Sequence, residues 1–250
     1  QLDGETRLIP ILGDPIAQVK SPALLSQSLA GRGVNAIVPP LHVRPADFAA
    51  VVEGLKRIGN VDGLVITVPH KFAAAGICDR LSDRAAFIGA ANILRREADG
   101  AWLGDHCDGQ GYVAGIRAQG GQIEGRTVLL IGAGGAGSAI AYEFLDQGAA
   151  SLAVHDADQT RRDDLIARLT ARFPGRVGLG SARPDGFDII ANATPMGMSP
   201  TDPLPADPAG LPRPEVTPLI AQARAAGCGT MTGLGMFNGV AERMVAFFAD

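Results

Sequence analysis

No apolar run in the 250-residue chain approaches the ~20 residues that a bilayer-spanning helix needs, so no membrane partner is expected. No basic stripe stands out either. Lysine and arginine number 22 against 26 acidic residues, interspersed, for a formal net charge of −4, and nucleic acid is therefore not an expected partner. Cysteine is scarce. Cys78, Cys107 and Cys228 lie far apart without metal-ligand spacing, and an odd count makes a poor disulfide framework. A reduced, cytoplasmic setting is the expectation, with no bound metal. Internal repeats and low-complexity tracts are missing too, and Gln1–Arg7 has no signal-peptide shape. Gln1 is not a natural start, so a few leading residues are expected before it.

What is present is apolar content of 46%, enough for a sizeable core in one large domain or two modest ones. The 33 glycines fall where strands turn into helices. Short apolar segments, Arg7–Leu12, Ala36–Val43 and Asp62–Val68, read as strands, with helices over Ser21–Leu29 and Pro45–Ile58. Ser21 is expected as the N-cap of the first helix, with Pro22 at its first position. Strands separated by helices imply a parallel sheet. After the Gly120–Gly125 stretch, strands at Thr127–Ile131, Ser151–Asp156 and Phe187–Ala191 alternate with helices at Ala136–Gln147, Asp158–Phe173 and Pro214–Ala226. Met236–Phe248 forms a closing helix. Ser199–Pro214 is a proline-rich loop. The alternation predicts one more strand just before Pro214, and its absence points to residues missing between Leu211 and Pro214.

The first chemical signal is Gly132-Ala133-Gly134-Gly135-Ala136-Gly137. The pattern G-x-G-x-x-G is weak alone and strong between a strand and a helix. Gly132 allows the tight turn, Gly134 lets the backbone approach a pyrophosphate, and Gly137 lets the helix pack on the strand. Together with Gly135 and Ala136, these residues put free N–H groups at the positive end of a helix. Asp156 closes the second strand, where an acidic side chain accepts hydrogen bonds from the adenosine ribose and repels a 2′-phosphate. That favours NAD, with NADP admitted by the neighbouring Arg161 and Arg162. Asp156 also reads as a helix-capping residue.

A second group of polar residues sits at strand ends: Thr67 and Lys71 in Thr67-Val68-Pro69-His70-Lys71, Asn92 in Gly89-Ala90-Ala91-Asn92, and Asp108 in Gly104…Asp108…Gly111. From residue chemistry alone, Lys71 also reads as a solvated charge, Asp108 as a helix cap and Asn92 as a turn residue. The ordered set, however, resembles the shikimate dehydrogenase family over nearly the whole chain. Gly13-Asp14-Pro15-Ile16…Lys20-Ser21-Pro22 is similar to the family's substrate motif. Asn192-Ala193-Thr194-Pro195-Met196-Gly197-Met198 is similar to the segment near the nicotinamide, and Gly233-Leu234-Gly235-Met236 to the final motif.

The resemblance implies an α/β chain with an N-terminal substrate domain, residues 1–105 plus 237–250. A Rossmann-like NAD(P)-binding domain would span residues 106–236, with a cleft between the two. It implies reversible hydride transfer between nicotinamide and the ring hydroxyl or ketone of a cyclic hydroxy acid, as in aromatic amino acid biosynthesis. Lys71 and Asp108 would be the catalytic pair. Ser21, Thr67 and Asn92 would contact substrate. Thr194, Met196, Gly235 and Met236 would join the glycine loop and Asp156 around the cofactor. The state expected is monomer or homodimer. His70 and His106 are expected to be bystanders.

The departures fall on one side of the site. Val19 replaces the family's usual serine, Val65 its asparagine and Val240 its glutamine, while His106-Cys107 replaces Asn-Thr. The resemblance assigns the serine and glutamine to the substrate carboxylate and ring hydroxyls. A charge-assisted hydrogen bond is worth roughly 1.5–3 kcal/mol, so weakened shikimate affinity is the expectation. Quinate or another alicyclic hydroxy acid is the alternative substrate. A nucleotide-binding regulator without turnover is the second alternative, opposed by the intact Lys71 and Asp108.

Overall fold

The computed structural model describes residues 2–194, 196, 223–224 and 227–249. The chain forms two compact units. One comprises residues 1–107 and 240–250, the other residues 108–239.

The first unit is built on a six-stranded sheet. Its strands are β2 (Ile11–Gly13), β4 (Pro40–His42), β5 (Gly63–Ile66), β6 (Arg80–Leu81), β7 (Ile93–Arg96) and β8 (Trp102–Asp105), in the order β4-β2-β5-β7-β8-β6. Two short strands, β1 (Arg7–Leu8) and β3 (Ala36–Ile37), pair separately. The expected continuous strands Arg7–Leu12 and Ala36–Val43 are thus each broken in two, next to Pro10 and at Pro39-Pro40. Proline brings no N–H to a sheet ladder and is confined to strand starts and edges.

The expected parallel sheet is corrected to a mixed one. β7 runs antiparallel to both β5 and β8, because β7 and β8 are joined by the tight Glu97–Ala101 turn rather than by a helix. Gly100 takes φ of 85° in that turn, and its N–H donates to Glu97 O at 2.9 Å. The Asp99-Gly100 pair is the sequence signal for this hairpin.

Alternation along the strands explains the burial on both faces. Ile11, Val65 and Ile93 share one apolar cluster with Leu25 and Leu29 of α1 (Ser21–Gly31) and with Met244, Val245 and Phe248 of the closing helix. Leu12, Leu64, Ile66 and Leu94 point the other way, onto Phe48 and Val52 of α2 (Phe48–Lys56) and Ala74 of α3 (Lys71–Ala75). Each such buried side chain contributes about 1.5–3 kcal/mol. A short helix, α4 (Asp83–Ile88), is capped by Ser82, whose hydroxyl accepts the Ala85 N–H at 3.2 Å.

The second unit begins with α5 (Asp108–Ala118). A fully parallel sheet follows, made of β9 (Thr127–Ile131), β10 (Ser151–His155), β11 (Val177–Leu179) and β12 (Ile189–Asn192) in the order β11-β10-β9-β12. The chain winds outward from β9 through α6 (Gly135–Asp146), β10 and α7 (Gln159–Arg172) to β11. It then returns to the opposite side of β9 as β12. The direction of winding reverses between β9 and β12, and open α/β sheets bind ligands outside the strand ends at such a reversal. The closing helix α8 (Gly233–Ala249) begins in this unit and contributes its residues from Val240 onward to the first. The proline-rich loop, the Leu211–Pro214 junction and most of the expected Pro214 helix lie outside the described residues.

Candidate active site

In the first unit the polar residues are held by backbone bonds between distant segments. Thr67 follows β5, and its N–H donates to Leu12 O at 2.9 Å. His70 then receives the turn, its N–H donating to Thr67 O at 2.9 Å. The His70 ring is buried, stacked on Phe48 with centroids 4.4 Å apart, and its Nε2 lies 2.7 Å from Val43 O. This bystander histidine is therefore a structural anchor for the start of α3, where Lys71 stands. The Lys71 carbonyl accepts the Ala91 N–H at 2.9 Å, and Asn92 O accepts the Ile66 N–H at 2.8 Å. Asn92 is thereby drawn to Thr67 and Lys71 although it comes from a separate motif.

Asn92 is 1% exposed. Its Oδ1 accepts the Cys107 N–H at 3.0 Å, which fixes the orientation of the amide. Asp108 is the next residue after Cys107. It is the first residue of α5 and half-buried. Ser21 is the first residue of α1, and Lys20 occupies the cap position without a side-chain hydrogen bond. The expectation of Ser21 as an N-cap is therefore corrected: the helix starts one residue earlier than the Ser-Pro signal suggests, and Ser21 makes no cap.

In the second unit the glycine loop joins β9 to α6. Gly132 adopts φ of 102°, a left-handed conformation that side chains oppose. A Cβ on Gly137 would lie 2.0 Å from Gly132 O, so only glycine lets the helix close on the turn. Gly134 differs: a Cβ there would meet nothing within 4 Å. Its lack of a side chain serves open space in front of the helix, where first-turn N–H groups have no intrahelical acceptor. This cradle fits the diphosphate of a dinucleotide.

Thr194 sits over the same turn. Its Cγ2 is 2.8 Å from where a Gly132 Cβ would be. Asn192 shapes the segment: its Oδ1 accepts Thr194 N–H at 3.0 Å and Thr194 Oγ1–H at 2.7 Å, while Nδ2 donates to Met196 O at 3.0 Å. Pro195, Gly197 and Met198 of this motif lie outside the described residues. Gly235 and Met236 stand on the first turn of α8, where Gly235 packs on Gly115 of α5.

Asp156, directly after β10, is 7% exposed. Its Oδ2 accepts the Ala133 N–H of the glycine loop at 2.6 Å and its Oδ1 the Asp158 N–H at 2.9 Å. Arg161 pairs with both oxygens. Burial pushes the carboxyl pKa up, but the bonds from Arg161, Ala133 and Asp158 outweigh it and hold the group at about 2. The capping alternative falls to Asp158, whose side chain accepts the Arg161 N–H at 3.1 Å. Arg162 turns away to Asp163 at 2.7 Å.

A profile of the shikimate dehydrogenase substrate-binding domain matches residues 11–94. A shikimate dehydrogenase (NADP(+)) from Rubrobacter xylanophilus is 36% identical over 251 residues, covering 93% of this chain and 87% of that protein. The chain belongs to the shikimate dehydrogenase family. Two solved structures of similar proteins share its fold. A shikimate 5-dehydrogenase from Listeria monocytogenes, in complex with shikimate and NAD, has a TM-score of 0.89 at 24% identity, covering 99% and 93% of the two chains. A quinate dehydrogenase from Corynebacterium glutamicum, in complex with NAD, has a TM-score of 0.84 at 26% identity, covering 97% and 93%.

Within the family frame, the three valine replacements have a common setting. Val65 is 1% exposed and belongs to the cluster of Ile11, Ile93 and Cys107, and Val19 and Val240 pack against that same cluster. They form part of one apolar region in the first unit rather than three separate losses. Asn192 and the Arg161 fork were not legible as site organisers. An Asn at a strand end is a weak signal for a turn-forming side chain, and an arginine five positions after an aspartate has no motif of its own.

Proposed function

We propose that this chain is an NAD(P)-dependent oxidoreductase that catalyses reversible hydride transfer at a ring hydroxyl of a cyclic hydroxy acid of the shikimate type. The observation that carries this is the coexistence, in a family member, of an open glycine cradle at the sheet's reversal point with the Thr67–Lys71–Asn92 assembly. When bound, the nicotinamide supplies or accepts the hydride.

The chain's own residues supply the rest. Backbone N–H groups at the start of α6 hold the diphosphate, and Asp156 and Arg161 face the adenosine end. Thr194 and Met196 flank the nicotinamide half, with Gly235 and Met236 assigned beside them by the family pattern. Lys71 transfers the proton at the reacting oxygen, a role worth typically ~10²–10⁴-fold, with Asp108 as its carboxylate partner. Asn92 hydrogen-bonds a substrate hydroxyl, and Thr67 and Ser21 add hydroxyl contacts. The setting proposed is cytoplasmic, as a monomer or homodimer acting on a small molecule.

The valine region supports a finer reading: the chemistry is retained while shikimate is held weakly, and quinate or a less polar alicyclic hydroxy acid is the better substrate. Initial rates with shikimate, quinate and related ring alcohols, each with NAD and NADP, test both levels. Turnover on some member of the panel, with a high Michaelis constant for shikimate, is expected. A low-micromolar constant for shikimate removes the finer reading, and no turnover on any ring alcohol removes the broader one.

A further inference from the structure

We infer that Arg161 sets the nucleotide preference of this chain by holding Asp156, and that the chain accepts NAD and NADP with little discrimination. This rests on the dinucleotide reading above.

An ionised carboxylate offers about four acceptor positions, and those of Asp156 are all in use. Oδ1 accepts from the Asp158 N–H at 2.9 Å and from Arg161 Nη2 at 2.8 Å. Oδ2 accepts from the Ala133 N–H at 2.6 Å and from Arg161 Nε at 3.2 Å. The two backbone donors are fixed, one in the glycine loop and one at the start of α7. Arg161 is the half of the pair that can leave: its side chain is 51% exposed, against 6% for Asp156. Its backbone stays pinned, because Asp158 Oδ1 accepts the Arg161 N–H at 3.1 Å.

A ribose diol needs two acceptor positions on Asp156, so NAD must displace the Arg161 fork. A 2′-phosphate brings its own charged acceptors and takes the same fork away from Asp156, while meeting the carboxylate left behind. Each nucleotide therefore breaks the same ion pair once, and neither gains a large advantage. An aspartate at this position is ordinarily selective for NAD; here its charge is neutralised by a neighbour five residues on.

The two halves of the pair should then act in opposite senses. Fluorescence titration of the whole protein with NADH and NADPH gives the ratio of their dissociation constants without requiring turnover. Arg161→Ala exposes Asp156, and the ratio is expected to shift toward NADH by about five- to tenfold. Asp156→Asn frees Arg161, and the ratio is expected to shift toward NADPH by a similar factor. Arg161→Lys, which keeps the charge and loses the fork, should retain NADPH binding better than Arg161→Ala. Equal weakening of both nucleotides in both variants would mark the pair as a mere loop anchor and overturn the inference. So would a wild-type preference above about a hundredfold for either nucleotide. Failure of the wild type to bind either one would instead remove the dehydrogenase reading itself.

Discussion

The glycine-loop part of the second unit and the proposed substrate-facing part of the first are built from different materials. Around Gly132–Gly137 the binding groups are backbone N–H groups, placed by a strand end, a helix start, and Gly132 and Gly137, where a side chain does not fit. Around Thr67, Lys71 and Asn92 the proposed binding groups are side chains on two motifs, stitched by hydrogen bonds such as Ala91 N–H to Lys71 O and Cys107 N–H to Asn92 Oδ1. A backbone site is robust to change at side chains, because every residue carries the same amide. A side-chain site changes its ligand one residue at a time. The reading proposed for Val19, Val65 and Val240 is of that second kind, whereas the glycine loop keeps every position of its pattern.

The sharpest way to separate the two regions is to remove the chemistry from one and watch the other. Lys71→Ala should lower kcat by ~10²–10⁴-fold while leaving NADH affinity, read by fluorescence, within about twofold. A parallel loss of nucleotide binding would mean that the two regions are not separable. Next in size is the valine region. Val19→Ser with Val240→Gln should lower the Michaelis constant for shikimate by up to ~10²-fold, with kcat little changed, since two polar contacts of about 1.5 kcal/mol each are offered. An unchanged constant would place the specificity elsewhere.

Within the glycine loop, packing and ligand roles can be pulled apart. Gly137→Ala should cost about 1–3 kcal/mol of stability, because its Cβ would press on Gly132 O. Gly134→Ala should leave the melting temperature unchanged and weaken nucleotide binding by about tenfold. Equal effects on stability would contradict the assignment of Gly134 to the ligand.

The smallest effect concerns pH. The Asp156 carboxyl is held at about 2, below its usual 3.8. A depressed carboxyl contributes stability that is complete above its unfolded pKa and lost as pH falls through the folded one. The melting-temperature gap between wild type and Asp156→Asn should thus be constant above about pH 4 and close as pH falls toward about 2. A gap that widens with acid would reverse the sign of the argument.

Much of this organisation is legible in the sequence, and unevenly so. The strand–glycine loop–helix unit is local, so the Thr127–Ile131 strand reads to the residue and the helix after it to within one residue at each end. The antiparallel β7–β8 hairpin is local as well, but its Asp99-Gly100 signal is short beside the helix-and-strand alternation around it. The breaks next to Pro10 and Pro40 follow from missing donors that a hydrophobicity pattern overlooks. Hydrogen bonds that orient Asn92 or occupy Asp156 are less accessible. The partners of Asn92 lie far along the chain, and an ion pair such as Arg161–Asp156 depends on rotamers rather than on spacing alone.

The central claim is that this chain turns over a ring alcohol with a nicotinamide nucleotide through Lys71. The most direct measurement follows the absorbance of reduced nicotinamide when purified wild type and Lys71→Ala are mixed with NAD or NADP and a panel of shikimate, quinate and simpler alicyclic hydroxy acids. The expected result is formation of reduced nucleotide by the wild type with at least one ring alcohol, and its near-complete loss in the variant. Equal rates for the two proteins, or none from the wild type on any panel member despite bound nucleotide, would contradict it.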